Sequence, residues 1–287
     1  MASVSRSSPE WPSAASRVVG TIGYPVAQSM SPLLHQAAFD ALGLDWVSVG
    51  FEVLPGETAA ALNGARSLGI AGLSVTMPHK TEAAKQMDML TPLAQRLESI
   101  NCVIPRHGRL VGDSTDGAGM LEALRRDAGV HPAGMRCAVI GAGGAARAAV
   151  AALADAKAAE VVVVNRTESR AYDAAKLAGA VGRVAGPEAL TGAELIVHAT
   201  PLGMVGREEE SSLGDLSGYF HEGQVVMDLV YVPQRTGILI AAEEQGATAV
   251  GGIGMLIHQA AISLEHWTER VAPLDAMWAA ALNKLAQ

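Results

Sequence analysis

The sequence predicts an α/β protein with mostly parallel sheets, and three observations carry that prediction. Strand-like and helix-like patterns alternate from about residue 18 to the end of the chain. A buried apolar run, CAVI at 137–140, opens directly into a glycine-rich turn and then an alanine-rich helix. The chain has 287 residues, and at about 150 residues per domain that is roughly two domains.

The elements follow in order. VVGTIG at 18–23 is a short apolar strand. Ser31-Pro32 reads as an N-cap with proline at the first helical position, and the helix PLLHQAAFDAL closes at Gly43. VSVGFEV at 47–53 alternates as a strand does, residues 56–68 are helical up to Gly69, and AGLSVTM at 71–77 is a strand stopped by Pro78. Short helices are predicted near 80–88 and 92–99, then a hairpin at 102–113 turning at His107-Gly108, then a helix at 117–129 able to bridge two domains. A second unit starts at Arg136, with further strands at 160–165, 194–200, 224–230 and 247–250, a helix at 236–245 and a helical end at 254–286. Residues 1–17, with six serines and no apolar stretch, read as a disordered tail and not as a secretory signal.

Composition narrows the function. Apolar residues make up 49% and charged residues 17%, a globular balance. The net charge of −8 argues against general binding to nucleic acid or to an anionic membrane surface, so cations for an anionic ligand must be placed locally. Two cysteines, Cys102 and Cys137, cannot make a disulfide framework or a cysteine-rich zinc site and point to a reducing compartment. The eight histidines form no HExxH and no dense cluster, so no metal site is expected. His79 reads as a surface residue, and His258 and His266 as a packed or solvated pair. Glu208-Glu209-Glu210 reads as a solvated loop able to help close a cleft.

Gly141-Ala142-Gly143-Gly144-Ala145-Ala146 fits G-x-G-x-x-[GA]. It follows a predicted strand and opens a predicted helix, the context that gives this pattern meaning as a dinucleotide site. The glycines let a pyrophosphate approach the turn, and the helix N-terminus offers free N–H groups and a positive dipole end. The next strand then chooses between cofactors. NAD sites usually end it in Asp or Glu, which accept from the ribose hydroxyls. Here it ends in Asn165-Arg166-Thr167 with Arg170 one turn on. An arginine fork pairs with a 2′-phosphate, so NADP is favoured over NAD.

A nicotinamide reaction needs a group that gives or takes a proton while hydride moves. Polar residues next to apolar runs collect at four places in the first unit: Ser29-x-Ser31, Thr76-x-Pro78-x-Lys80, Asn101, and Asp113 to Gly117. Lys80 and Asp116 make a plausible pair, an ammonium that donates a proton as charge develops on a carbonyl oxygen and a carboxylate that orients it. Taken alone, each also reads as ordinary structure: a solvated lysine in a first helical turn, and a helix N-cap.

The motifs GYPVAQSMSP, GLSVTMPHK, GDSTDG, GAGGAARA, NRTESRA, HATPLGM and GIGMLIHQAA occur in the order and spacing of the shikimate dehydrogenases, from about residue 18 to 287. The chain resembles that family over all but its tail. The resemblance implies a substrate domain at 18–117 and 255–287, a Rossmann NADP domain at 118–254, a cleft between them, and a last helix that returns to the substrate domain. It implies that Lys80 and Asp116 are the catalytic pair and that Ser29 and Ser31 hold a substrate carboxylate. Thr76, Asn101 and Gln259 would contact ring hydroxyls, and Tyr231 would stand on the substrate side. Gly141, Ala142, Gly143, Gly144 and Ala145, with Asn165, Arg166, Thr167 and Arg170, would contact NADP. Leu229, Gly252 and Met255 would lie beside the nicotinamide.

The implied activity is reversible NADPH-dependent reduction of 3-dehydroshikimate to shikimate, in the cytoplasm, by a monomer or homodimer with small-molecule ligands only. Quinate or a related polyol is the alternative substrate, favoured less because the Ser29-x-Ser31 pair is kept. A sensor that binds both ligands without turnover is the alternative of another class, and the Lys80–Asp116 pair argues against it. Four departures from the family pattern bear on the substrate: Ser74, Ser114 and His198 each stand where asparagine is usual, and ESINC replaces AVNT around Asn101. Serine for asparagine shortens the side chain and removes an amide.

Overall fold

The computed structural model describes residues 12–204 and 215–287. Two six-stranded sheets organise the chain. The first unit runs β1 (Arg17–Gly23), α1 (Ser31–Leu42), β2 (Trp46–Glu52), α2 (Thr58–Ser67), β3 (Gly72–Val75), α3 (Lys80–Lys85), β4 (Met89–Leu90), α4 (Pro92–Leu97), β5 (Cys102–Arg106) and β6 (Arg109–Asp113). Its sheet has the order β2-β1-β3-β5-β6-β4, with β5 antiparallel to both neighbours and the other pairs parallel. The hairpin turns at His107 and Gly108, both at positive φ.

Helix α5 (Asp116–Asp127) leads to the second unit: β7 (Arg136–Ile140), α6 (Gly144–Asp155), β8 (Glu160–Val164), α7 (Glu168–Ala175), β9 (Gly182–Val184), β10 (Leu195–His198), β11 (Val225–Asp228), α8 (Gly237–Glu244) and β12 (Thr248–Val250). Every strand pair here is parallel, in the order β12-β11-β10-β7-β8-β9. Counted within this unit the order is 3-2-1-4-5-6 from the β9 edge, the doubly wound arrangement that places a crevice at the ends of its central strands. Helices cover both faces, so its strands are buried as unbroken apolar runs such as VVVV at 161–164.

The chain then returns through α9 (Ile253–Thr268) and α10 (Leu274–Leu285). Met255, at the start of α9, lies in the core of the second unit, whereas Ile257, Ala260 and Leu264 pack with α1 and α10 in the core of the first. Helices α5 and α9 lie side by side, and glycines let the backbones approach. A Cβ on Gly119 would stand 2.7 Å from the Gln259 nitrogen, and one on Gly117 would stand 2.9 Å from the Ala148 oxygen of α6. Helix α4 docks on α6 as well, through Leu97 against Ala148 and Ala151, a two-point Arg96–Asp155 pair, and Arg147 Nε donating to the Leu97 carbonyl at 3.0 Å.

Several expectations need correction. The tail does not extend to residue 17. Arg17 already pairs in β1 and lies over the Trp46 ring, and the Ser16 hydroxyl donates to Asp45 at 2.5 Å. Residues 1–11 lie outside the described residues, as does the Glu208-Glu209-Glu210 segment. Met30, not Ser31, precedes α1, and it is the Ser29 hydroxyl that accepts the Ser31 N–H at 3.3 Å. The last segment is two helices, because Glu269 at φ 56 and Pro273 break it. Strands β4 and β9 and helix α7 are too short or too polar to stand out by periodicity. Cys102 and Cys137 are buried free thiols, and burial pushes both up to about 12.

Candidate active site

The ends of the central strands of both sheets face one cleft of about 930 Å³. All of the residues singled out from the sequence line it: Lys80 and Asp116; Ser29, Ser31, Thr76, Asn101, Tyr231 and Gln259; Gly141 to Ala145, Asn165, Arg166, Thr167 and Arg170; and Leu229, Gly252 and Met255.

On one wall, β3 ends at Val75 and the chain turns through Thr76 to His79 before α3 begins at Lys80. His79 is buried, contrary to the surface position expected for it. Its Nε2–H donates to the Val53 carbonyl at 2.8 Å, so its Nδ1 accepts from the Thr58 hydroxyl at 2.8 Å. Both ring nitrogens are thereby used to tie the turn to the end of β2 and the start of α2. Lys80 is fixed at its base, and its carbonyl accepts from Ile100 N–H at 3.1 Å.

The Lys80 ammonium donates to Asp116 Oδ2 at 2.5 Å. Asp116 is the first residue of α5, and its other oxygen accepts from Asn101 Nδ2 at 2.8 Å. The same amide lies 3.0 Å from Gln259 Oε1 and 2.9 Å from the Thr115 hydroxyl, while Asn101 Oδ1 accepts from Thr115 N–H at 2.7 Å. Thr115 in turn donates to the Gln259 carbonyl at 3.0 Å, and Gln259 Nε2 donates to the Leu256 carbonyl at 2.8 Å. Asn101, Thr115, Asp116 and Gln259, contributed by the start of β5, the turn before α5, α5 and α9, are each more than nine-tenths buried. A polar network this dry is rigid when its members are satisfied.

Beside it the sheet offers two further hydroxyls. Thr21 and Ser74 are register partners on β1 and β3 and both line the cleft. Thr21 Oγ1 and Ser74 Oγ are buried without a hydrogen-bond partner among the described residues. Thr21 was not visible as a site residue in the sequence, because one threonine inside an apolar strand carries no motif. Tyr231 also lines the cleft, and burial raises its pKa against the effect of the Met30 backbone.

The second wall is the glycine-rich turn. Gly141 has φ +119, and a Cβ there would meet the Ala199 carbonyl at 2.9 Å. Gly143 precedes α6 with no side-chain cap, so the first N–H groups of that helix point into the cleft unclaimed by a side chain. At the end of β8, Asn165 Nδ2 donates to the Thr167 carbonyl at 2.9 Å and shapes the turn. Arg166 and Arg170 are exposed and make no ion pair among the described residues, whereas Glu168 does not line the cleft. This cradle fits a dinucleotide carrying a 2′-phosphate: bare N–H groups where a pyrophosphate crosses, and two cations where NAD sites carry a carboxylate.

Of the residues that depart from the family pattern, Ser74 lines the cleft, but Ser114 and His198 do not. His198 is buried behind the wall, between Asp228 at 2.9 Å and the hydroxyl of Thr200 at 2.6 Å. Thr200 does line the cleft, as do Pro201, Leu202 and Val230, none of which the sequence reading named. His258 is buried in the packing of α9, and His266, half-buried on the same helix, has its Nε2 3.2 Å from Asp113. No helix among the described residues is long and apolar enough to cross a membrane, and none of their His, Cys, Asp and Glu side chains form a group of three or more placed to hold a metal ion.

Comparison with known proteins agrees with this geometry along the whole chain. Residues 21–103 match the shikimate dehydrogenase substrate binding domain, residues 125–200 the shikimate/quinate 5-dehydrogenase family, and residues 252–282 the shikimate 5′-dehydrogenase C-terminal domain. A shikimate dehydrogenase (NADP+) of Methanopyrus kandleri is 42% identical over 95% of this chain and 97% of its own. A shikimate dehydrogenase crystallised with NADP+ superposes with a TM-score of 0.88 at 35% identity, over 96% of this chain and 98% of the other. The Thermus thermophilus shikimate 5-dehydrogenase, crystallised with NADP(H) and shikimate, gives 0.85 at 34%, over 93% and 99%. With relatives this similar over nearly their full length, the chain belongs to the shikimate dehydrogenase family.

Proposed function

We propose that this protein reduces 3-dehydroshikimate to shikimate with NADPH, reversibly. The observation that carries the reading is the Lys80–Asp116 pair at 2.5 Å, set in the crease between a hydroxyl-lined wall and a bare glycine-rich turn. Residues 18–117 and 255–287 form the substrate side in this reading, and 118–254 the cofactor side.

Bound NADPH supplies the hydride. Ser29 and Ser31, at the start of α1, hold the substrate carboxylate through their hydroxyls and the nearby backbone N–H groups. Thr76, Asn101, Gln259 and Tyr231 take the ring hydroxyls and fix which carbon faces the cofactor. As hydride reaches the carbonyl carbon, negative charge builds on its oxygen, and the Lys80 Nζ–H donates its proton there. The lysine is left neutral, and it regains a proton from water that reaches it by way of the open cleft. Asp116, at 2.5 Å, keeps the ammonium aimed. In the reverse direction the neutral amine takes the proton from the alcohol. Leu229, Gly252 and Met255 give the nicotinamide a largely apolar bed, and Arg166 and Arg170 pair with the 2′-phosphate. The two buried free thiols support a reducing, cytoplasmic setting.

The test is the absorbance of reduced nicotinamide with the purified protein, shikimate or quinate, and NADP+ or NAD+, in all four combinations. Signal with shikimate and NADP+ well above the other three supports the reading. A preference for quinate, or silence in all four from folded protein, overturns it.

A further inference from the structure

We propose that Arg147, on the helix of the glycine-rich turn, is a positioning residue for Lys80: it holds the short segment of chain on which the Lys80 backbone rests, and so sets where the ammonium stands in the cleft. The proposal rests on the reading of Lys80 as proton donor above.

Arg147 is the fourth residue of α6. The helix dipole disfavours a cation so near the start of a helix, so its place there calls for another reason. The cleft does not supply one: Gly141 to Ala145 line it, and Arg147 does not. The Arg147 side chain, only 18% exposed, runs instead to the first unit, where its Nε–H donates to the Leu97 carbonyl at 3.0 Å. Its Nη2 lies 3.7 Å from Glu98, whose side chain is 82% exposed, and a pair that long and that wet does not fix a guanidinium.

The Leu97 carbonyl is one that the end of α4 leaves open, and no backbone N–H among the described residues takes it. Glu98 follows at φ 51 and ends the helix, and Ser99 and Ile100 are buried. The Ile100 N–H then donates to the Lys80 carbonyl at 3.1 Å. The carbonyl that Arg147 grips is therefore three residues from the N–H that holds the lysine backbone. The Leu97 side chain packs on Ala148 and Ala151 of the same helix and keeps this segment pressed to it. The helix also meets the lysine directly. A Cβ on Gly144 would stand 3.2 Å from Lys80 Cδ and 3.1 Å from Ser99 Oγ. Helix α6 thus confines Lys80 at two points, its stem beside Gly144 and its backbone through Arg147 and residues 97–100. The proton donor belongs to one unit and is aimed by the other.

The experiment follows a single turnover of NADPH and 3-dehydroshikimate by stopped-flow absorbance, so that product release does not mask the chemical step, and measures the NADP+ dissociation constant by fluorescence titration. Wild type, Arg147→Met, Arg147→Lys and Arg96→Ala are compared, each shown to be folded by its melting transition. Arg147→Met keeps an extended side chain without a donor. Its turnover should slow about tenfold, with a larger solvent isotope effect, while NADP+ affinity stays within about twofold of wild type. Arg147→Lys restores a donor and should recover most of the rate. Arg96→Ala removes the exposed pair with Asp155 from the same helix contact but leaves the Leu97 carbonyl held, and should keep the wild-type rate. An unchanged rate in Arg147→Met, an Arg147→Lys protein equally slow, an equal loss in Arg96→Ala, or a fall in NADP+ affinity that matches the loss of rate overturns the proposal. Wild type that is folded but shows no turnover overturns the reading of the reaction instead.

Discussion

Asp116 uses both of its oxygens: one takes the Lys80 ammonium at 2.5 Å, the other the Asn101 amide at 2.8 Å. The carboxylate is thereby locked between the Lys80 ammonium and a rigid buried amide, which fixes the direction in which the ammonium points. Asp116→Asn keeps the shape but replaces one acceptor oxygen by a donor that faces the ammonium. Proton transfer by a positioned group contributes about a hundredfold to ten-thousandfold, so Lys80→Met should lose activity on that scale. Asp116→Asn should lose somewhat less, with kcat falling more than KM rises in both. Steady-state kinetics with shikimate and NADP+ checks this; a Lys80→Met enzyme with near wild-type kcat would remove the lysine from the mechanism.

Asn101 is the hinge of the dry network. Its amide serves Asp116, Gln259 and Thr115 together, across sequence separations as large as 158 residues. Asn101→Ala would leave several buried polar atoms without partners, each costing about 1–3 kcal/mol. Some of that is recovered by water entering from the cleft, so the expected loss of unfolding free energy is about 2–4 kcal/mol. Urea titration measures it. Because α5 and α9 meet at this network, the cofactor-independent stability of the whole chain should drop in one transition rather than two.

The dinucleotide side was legible in the sequence because backbone geometry dictates its residue types. Only glycine suits Gly141 at φ +119 against the Ala199 carbonyl, and the continuous apolar runs around it can only be strands buried on both faces. The substrate side was legible mainly through resemblance, since serine, threonine and asparagine at strand ends are common in any α/β protein. Two kinds of feature escaped. His79 was taken for a surface residue because its partners, Thr58 and the Val53 carbonyl, are 21 and 26 residues away and carry no pattern. Thr21 and Ser74 face each other only because β1 and β3 pair in one particular register, which a single strand does not reveal.

The choice of cofactor rests on the end of β8. Arg166 and Arg170 stand exposed there, and among the described residues no carboxylate lines that part of the cleft. A charge-assisted bond to phosphate stabilises by about 1.5–3 kcal/mol, which corresponds to roughly tenfold to a hundredfold in affinity. Arg166→Ala should raise KM for NADP+ by that factor and leave KM for NAD+ nearly unchanged, because NAD+ has nothing for the guanidinium to pair with. The NADP+ effect should shrink as salt is raised, since both partners are exposed to screening. Equal losses for the two cofactors would show that Arg166 acts on some part of the dinucleotide other than the 2′-phosphate.

The core of the first unit contains a buried base whose titration has a definite sign. His35, on α1, is fully enclosed, edge-on to Trp267 at 4.9 Å and beside Phe39, and neither ring nitrogen has a hydrogen-bond partner among the described residues. Burial pushes its pKa from the ordinary 6.5 down to about 4, only partly offset by the nearby Ala260 backbone. Below pH 6.5 the unfolded chain binds a proton here that the folded chain refuses until about pH 4. The contribution is therefore complete above pH 6.5 and is lost as the pH falls towards 4. At pH 5 the loss relative to pH 7.5 is about 2 kcal/mol. His35→Leu removes the titrating group and keeps the site apolar, so its stability should decline less between pH 7.5 and 5 than that of the wild type. Other buried groups with shifted pKa values, such as His258, are common to both proteins and cancel in the difference. Urea midpoints at the two pH values, for both proteins, give the comparison; equal declines would mean that His35 is already protonated in the folded protein at pH 5.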